Sequence, residues 1–160
     1  MNKKIGMGFF GELDLYLFGE GRHYRLYEKM GAHPFTYRRQ AGIHFAVWAP
    51  HAEEVSVVGD FNGWNPGKTP MKRISGSGIF EAFVPGLKEG ELYKYAISTK
   101  SSSLLMKADP FAFYSEYRPG TASVTADISG FSWSDSAWME KRRNQDPVKA
   151  QIGRASCRER

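Results

Sequence analysis

The sequence predicts a mainly β protein, an immunoglobulin-like antiparallel β-sandwich with a short helical N-terminal lead-in. Three observations predict it. About seven short runs of apolar residues alternate with period two, each bounded by Gly, Pro, Asn or Ser. The runs follow one another too closely for crossover helices between parallel strands, which leaves antiparallel sheets stacked as a sandwich. Aromatic residues reach 14% of the 160 residues, a share that suits a pleated core, a carbohydrate-facing surface, or both.

The elements justify this in order. Between Glu12 and His33 the pattern is helical, then loop-like. Leu13, Leu15, Tyr16 and Leu17 make a short helix that Gly19 and Gly21 stop, Tyr24, Tyr27 and Met30 recur three apart, and Pro34 closes the segment. From Ile43 the period changes. Ile43, Phe45 and Val47 alternate with His44, Ala46 and Trp48, and Pro50 ends the strand; Trp48 on this strand is expected in the core. Val55 and Val57 flank Ser56 before Gly59. Met71–Ile74 is a short strand, Ser75-Gly76-Ser77-Gly78 a turn, and Ile79–Val84 a strand closed by Pro85-Gly86. Leu92–Ile97 puts Tyr93, Tyr95 and Ile97 on one face. Leu104–Lys107 follows the polar turn Lys100–Ser103, and Ser123–Ile128 is the last strand, with Val124, Ala126 and Ile128 facing one way. The domain reading is therefore a lead-in over residues 1–33, a β-sandwich over 34–128, and a polar linker with interleaved Trp133 and Trp138 over 129–150.

Residues 151–160, QIGRASCRER, break from this composition. They resemble the in-frame product of a short-read sequencing adapter, with Gln151 at the junction, and are set aside from fold reasoning. They also carry two of the five net positive charges (Arg154, Arg158 and Arg160 against Glu159) and Cys157, the one cysteine. The other Lys and Arg form no stripe, so no nucleic-acid partner is expected. No disulfide framework or thiolate metal site is expected either. No apolar run approaches the roughly 18 residues of a membrane span, and the start of the chain lacks a signal-peptide pattern, so the expected location is cytoplasmic.

Several chemistries are excluded by context. Gly6-Met7-Gly8-Phe9-Phe10-Gly11 matches the dinucleotide-binding spacing, but only five residues precede it and no βαβ unit follows. His23, His33, His44 and His51 lack metal-ligand spacing; no metal and no cofactor is expected. Asp60, Glu81, Asp109 and Glu116 fall on different strands and loops with no motif to pair them as glycosidic acid and nucleophile, and Ser77 and Ser103 have no triad context. No catalytic residue is assigned.

The most telling stretch is Gly59-Asp60-Phe61-Asn62-Gly63-Trp64-Asn65. Asn62-Gly63 is a turn signal, because both residues tolerate positive φ. The turn throws Trp64 outward among Asp60, Asn62 and Asn65. An indole beside amides is a sugar platform, the ring stacking on the apolar face of a pyranose while amides bond its hydroxyls. A Trp covering the sandwich edge or docking a neighbouring domain fits the same residues.

A family resemblance rests on particular motifs. Ala46-Val47-Trp48-Ala49-Pro50, Val55–Trp64, Leu92-Tyr93-Lys94-Tyr95, Lys107-Ala108-Asp109-Pro110 and Arg118-Pro119-Gly120-Thr121-Ala122-Ser123 occur in that order. Together they resemble the N-terminal sandwich of 1,4-α-glucan (glycogen) branching enzymes, a member of carbohydrate-binding module family 48. Tyr16-Leu17-Phe18 and His23–His33 are similar to that family's lead-in. The resemblance spans about residues 12–150. It implies a non-catalytic module of an enzyme that cuts an α-1,4 glucan chain and rejoins it through an α-1,6 bond. The catalytic barrel of glycoside hydrolase family 13 would begin past Ala150, so the fragment alone is expected to be inactive. The resemblance places sugar contacts at Trp64 and Lys94, with Asn62 and Asn65 beside them, and the packing against the barrel at Asp109, Pro110, Phe111, Phe113 and Tyr114. The implied partners are α-glucan (glycogen or maltooligosaccharide), held weakly, and the barrel of the same chain. Glycogen-binding relatives carry a second Trp just after the strand that holds the lysine; here 98–103 has no aromatic residue, and the clamp looks incomplete. Two alternatives stand beside this reading: a stand-alone glycogen-binding or regulatory module, and the N-terminal module of a debranching or trehalose-forming hydrolase.

Overall fold

A computed structural model describes residues 4–5, 7–74, 76–100 and 103–145. The tail 151–160, the end of the linker and Ser75 of the predicted turn lie outside the described residues. The chain divides into two compact units, residues 1–128 and 129–160.

The first unit is a β-sandwich. In chain order it holds β1 (Lys4–Ile5), β2 (Phe10–Gly11), α1 (Glu12–Gly19), a 3-10 turn at Leu26–Glu28, β3 (Gly31–Tyr37), β4 (Gln40–Trp48), β5 (Glu54–Gly59), β6 (Lys72–Ile74), β7 (Ile79–Pro85), β8 (Leu92–Ser98), β9 (Leu104–Lys107), β10 (Tyr114–Ser115) and β11 (Ser123–Val124). One sheet runs β3-β4-β7-β6; the other runs β10-β11-β8-β5. β9 shares the second edge of β8 with β11, pairing residues 95–98 while β11 pairs residues 92–93. All pairings among the named strands are antiparallel.

The core lies between the two sheets. Ile43, Phe45 and Val47 from β4 meet Val55 and Val57 from β5 and Tyr93 and Tyr95 from β8, as the period-two reading requires. Phe45 and Tyr93 make an edge-to-face pair with centroids 5.1 Å apart. Truncating a fully buried aromatic such as Phe45 costs about 3–5 kcal/mol. Gly59 and Gly42 are fixed by close approach: a Cβ on Gly59 would run into the Leu92 carbonyl, and one on Gly42 into the Val84 carbonyl.

The lead-in forms a second apolar layer. Phe10 and Met30, with Leu15, Phe18 and Leu26 beside them, pack on Ala46, Ile74 and Ile79. These residues lie on the face of the β3-β4-β7-β6 sheet turned away from Phe45 and Val47. The α1 start is closed by Asp14, whose Oδ2 accepts from the Gly11 N–H at 2.7 Å. Under this layer sits a buried pair. His44 Nε2 donates to Glu81 Oε2 at 3.0 Å, and the Met7 N–H donates to Glu81 Oε1 at 2.8 Å. Burial holds the His44 pKa below its ordinary value, with the Glu81 carboxylate opposing. The Phe9 ring stacks on His44 at 4.2 Å.

Three expectations are corrected here. Residues 31–37 form β3, not the end of a loop; Pro34 is tolerated because β3 is an edge strand. Ser123–Ile128 shortens to two paired residues: beyond Val124, the Thr125 N–H bonds Glu91 O and its Oγ1 bonds Lys88 O and the Glu91 N–H. Trp48 is 55% exposed and not in the core; it points to the lead-in side of β4 and meets Phe18 edge-on at 5.9 Å.

The second unit contains α2 (Ser136–Arg143). Within it the Phe131 and Trp133 rings pack edge-to-face at 4.9 Å, and the Arg142 guanidinium lies over the Trp138 ring. No helix among the described residues is long and apolar enough to cross a membrane.

Candidate functional site

The site is built at the end of β5. Gly59 pairs with Tyr93, after which the chain turns through a 3-10 turn at Asp60–Asn62 and Gly63 in the left-handed region (φ 68°). The Trp64 N–H returns to the Gly59 carbonyl at 2.9 Å. Trp64 itself has φ 58°, a left-handed conformation rare for a bulky residue. The turn is over-determined enough to hold it. Asn62 is buried and spends its whole amide inside the turn: Oδ1 accepts from the Gly59 N–H at 3.1 Å, and Nδ2 donates to Val57 O and Thr69 Oγ1, both at 3.0 Å. Asn62 therefore shapes the turn, and its amide is not presented at the surface.

Trp64 is half-buried, and its Nε1–H donates to Asp60 Oδ1 at 2.7 Å. That bond fixes the indole by its edge. Asn65 is exposed; its Oδ1 accepts from the Gly67 N–H at 2.9 Å, which starts the next turn, and its Nδ2 points to no partner among the described residues.

Lys94 enters from the neighbouring strand. It lies opposite Val58 on β5, one residue from the Gly59–Tyr93 pair on which the Trp64 turn is built. The backbone register thus brings Trp64 and Lys94 to the same end of the β5–β8 pair. Lys94 Nζ donates to Thr121 Oγ1 at 2.6 Å. Sequence reasoning quoted Thr121 only as part of a motif, because a threonine in a loop carries no signal of its partner.

The segment 109–114 divides. Asp109 is buried, and its Oδ2 accepts from Tyr93 Oη at 2.7 Å and Tyr95 Oη at 3.1 Å; its Oδ1 accepts from the Phe111 N–H at 2.8 Å. Burial raises its pKa, which the tyrosine and backbone bonds oppose. Phe111 packs on the lead-in layer and Phe113 meets His33 edge-on at 5.7 Å. Pro110 and Tyr114 are exposed. Three of the five residues are thus engaged within this unit.

What the arrangement offers is a fixed aromatic face, an ammonium, an exposed amide and no acid–nucleophile pair near them. Groups of this kind can contact a neutral polyhydroxylated ligand. Comparisons with known proteins bear on which ligand. The family model for carbohydrate-binding module 48 (isoamylase N-terminal domain) matches residues 29–112. The 1,4-alpha-glucan branching enzyme GlgB of Thermosynechococcus vestitus is 50% identical over 141 residues, covering 88% of this chain and 18% of that protein. The Butyrivibrio fibrisolvens protein of the same name is 47% identical over 157 residues, covering 98% of this chain and 24% of that one. The chain spans about a fifth of the length of the curated relatives it matches. A solved structure of a candidate alpha amylase from Salmonella typhimurium shares the fold, with a TM-score of 0.50 at 20% identity over 68% of this chain and 16% of that chain.

Proposed function

Since the chain belongs to the carbohydrate-binding module 48 family, we propose that it is the N-terminal, non-catalytic module of a cytoplasmic 1,4-α-glucan branching enzyme, and that it binds α-glucan at Trp64 and Lys94. The similarity to branching enzymes over 88% of the chain or more supports the parent activity. In that activity an α-1,4 bond is cut, a glucan segment passes through a covalent glycosyl-enzyme, and the segment is rejoined to a sugar hydroxyl as an α-1,6 branch. The catalytic groups belong to a barrel outside this chain. Pro110, exposed beside the buried Asp109 anchor, is the part of 109–114 left to meet that barrel.

The observation that carries the glucan reading is the Trp64 turn. A left-handed bulky residue costs about 1–3 kcal/mol, and such strain persists where the surroundings over-determine it. Here Asn62 and Asp60 spend their hydrogen bonds on presenting the indole. The ring face stacks on a pyranose; Lys94 Nζ and Asn65 Nδ2 donate to its hydroxyls; Asn62 keeps the turn in shape. One stacking contact with few hydrogen bonds offsets little association entropy, so the affinity should be on the order of millimolar.

Titration of the ¹⁵N-labelled chain with maltoheptaose tests this. Trp64→Ala should lose the shifts while keeping the dispersed spectrum of the folded chain. A Trp64→Ala chain that binds as well as its parent, or that unfolds, makes Trp64 structural and ends the glucan reading.

A further inference from the structure

We propose that the sugar surface continues from Lys94 across β11 onto β10, where Tyr114 is its second aromatic platform and Glu116 an acceptor for glucan hydroxyls; this rests on the glucan reading of Trp64 and extends it.

The register supports it. Leu92 pairs with Val124, and Val124 with Tyr114, so these three side chains share one face of the sheet. Lys94 is two residues from Leu92 and lies on that face as well. Tyr93 and Tyr95 occupy the opposite, buried face. The strand order β5-β8-β11-β10 sets the Trp64 end and Tyr114 three strand spacings apart, about 14 Å, the reach of a short oligosaccharide.

The link between them is already made. Lys94 Nζ donates to Thr121 Oγ1, and Thr121 lines a cleft of about 500 Å³ together with Tyr114, Glu116 and Arg118. Glu116 is held in place: its N–H bonds Ala122 O at 3.0 Å and its Oε2 accepts from the Ala122 N–H at 2.7 Å. Its carboxylate lies against Gly120, where any Cβ would collide with it. Oε1, which lies against Gly120, bonds no described residue and is the acceptor assigned to a ligand hydroxyl. Tyr114 is 51% exposed. An aromatic ring, a fixed carboxylate, a guanidinium and a hydroxyl in one cleft are the groups that grip a sugar from its face and its rim. The aromatic residue missing from 98–103 is thereby supplied from β10.

The test compares maltotriose with maltoheptaose on the 160-residue chain and its variants. The proposal predicts that maltoheptaose binds more tightly than maltotriose, that Tyr114→Ala weakens maltoheptaose about tenfold and erases that advantage, and that Tyr114→Phe retains it. In the parent chain, maltoheptaose should shift amides in 114–122 as well as those around Trp64 and Lys94. Loss of binding in Trp64→Ala with full binding in Tyr114→Ala overturns the extension and leaves the glucan reading standing. Absence of binding by the parent chain overturns both. If Tyr114→Ala fails to fold, the parent spectra decide: shifts confined to the Trp64 and Lys94 region, with none in 114–122, overturn the extension.

Discussion

Asp109 shows how one side chain closes this sandwich. Its carboxylate takes two buried tyrosine hydroxyls and a backbone N–H, while the Asp109 N–H donates to Ser123 Oγ at 2.8 Å. Asp109→Ala leaves the Tyr93 hydroxyl and the Phe111 N–H without their acceptor, at roughly 1–3 kcal/mol for each one left buried and unpaired, while the Tyr95 hydroxyl keeps the Ala46 carbonyl at 3.2 Å. A loss of at least about 2 kcal/mol is expected by urea denaturation. The pH response has a definite sign. Burial raises the folded pKa above the ordinary 3.8, so the folded state binds this proton more tightly than the unfolded state. The contribution to stability is full below 3.8 and is lost as pH rises through the raised value. On going from pH 7 to pH 4 the parent should gain stability relative to Asp109→Asn; equal changes in both midpoints would contradict the assignment. Asp109 was legible only as part of a motif, and its role was missed. Nothing in the sequence says that Tyr93 and Tyr95, alternating into the core, both aim their hydroxyls at one carboxylate. Trp48 and Asn62 were missed for the matching reason. Alternation locates a side chain's face, but whether that face is covered depends on α1, and an Asn-Gly turn does not reveal that its amide is consumed within the turn.

At the scale of elements, β3 and its turn are the instructive case. β5 through β9 were readable within a residue or two, and β4 was read from Ile43, three residues past its start at Gln40. β3 was not, because Pro34 reads as a stop unless the strand is known to be an edge. Its connection to β4 was hidden too. Tyr37 pairs with Gln40, leaving a two-residue turn of Arg38 and Arg39 at φ 49° and 68°. Such turns favour Asn-Gly, and two arginines carry no turn signal. Each left-handed arginine costs about 1–2 kcal/mol. Arg38→Asn with Arg39→Gly should therefore stabilise the chain by about 1 kcal/mol after the added glycine entropy. A thermal melt rising by a few degrees would agree; an unchanged or lower melt would mean that the Arg38 guanidinium over the Tyr37 ring, 5.2 Å from its centroid, offsets the backbone strain.

For the whole molecule, the lead-in, the sandwich and the site form one argument. The lead-in covers one sheet; the other sheet carries the Trp64 turn, Lys94 and the β10 cleft. The aromatic share is divided between core and surface. Phe45, Tyr93 and Tyr95 are spent in the core, while Trp64 and Tyr114 keep surface to offer. The chain spans about a fifth of the branching enzymes it matches, and on the proposed reading it alone should leave the iodine colour of amylose unchanged over hours; fading of that colour would contradict a purely binding role. On the proposed reading this module holds α-1,4 glucan through a fixed indole. The most direct measurement is a paired NMR titration of the chain with maltoheptaose and with cellohexaose, followed at the Trp64 indole N–H. Saturable shifts are expected at millimolar maltoheptaose and none with the β-1,4 sugar at equal concentration; equal responses to both, or a silent indole in both, would rule out α-glucan recognition at Trp64.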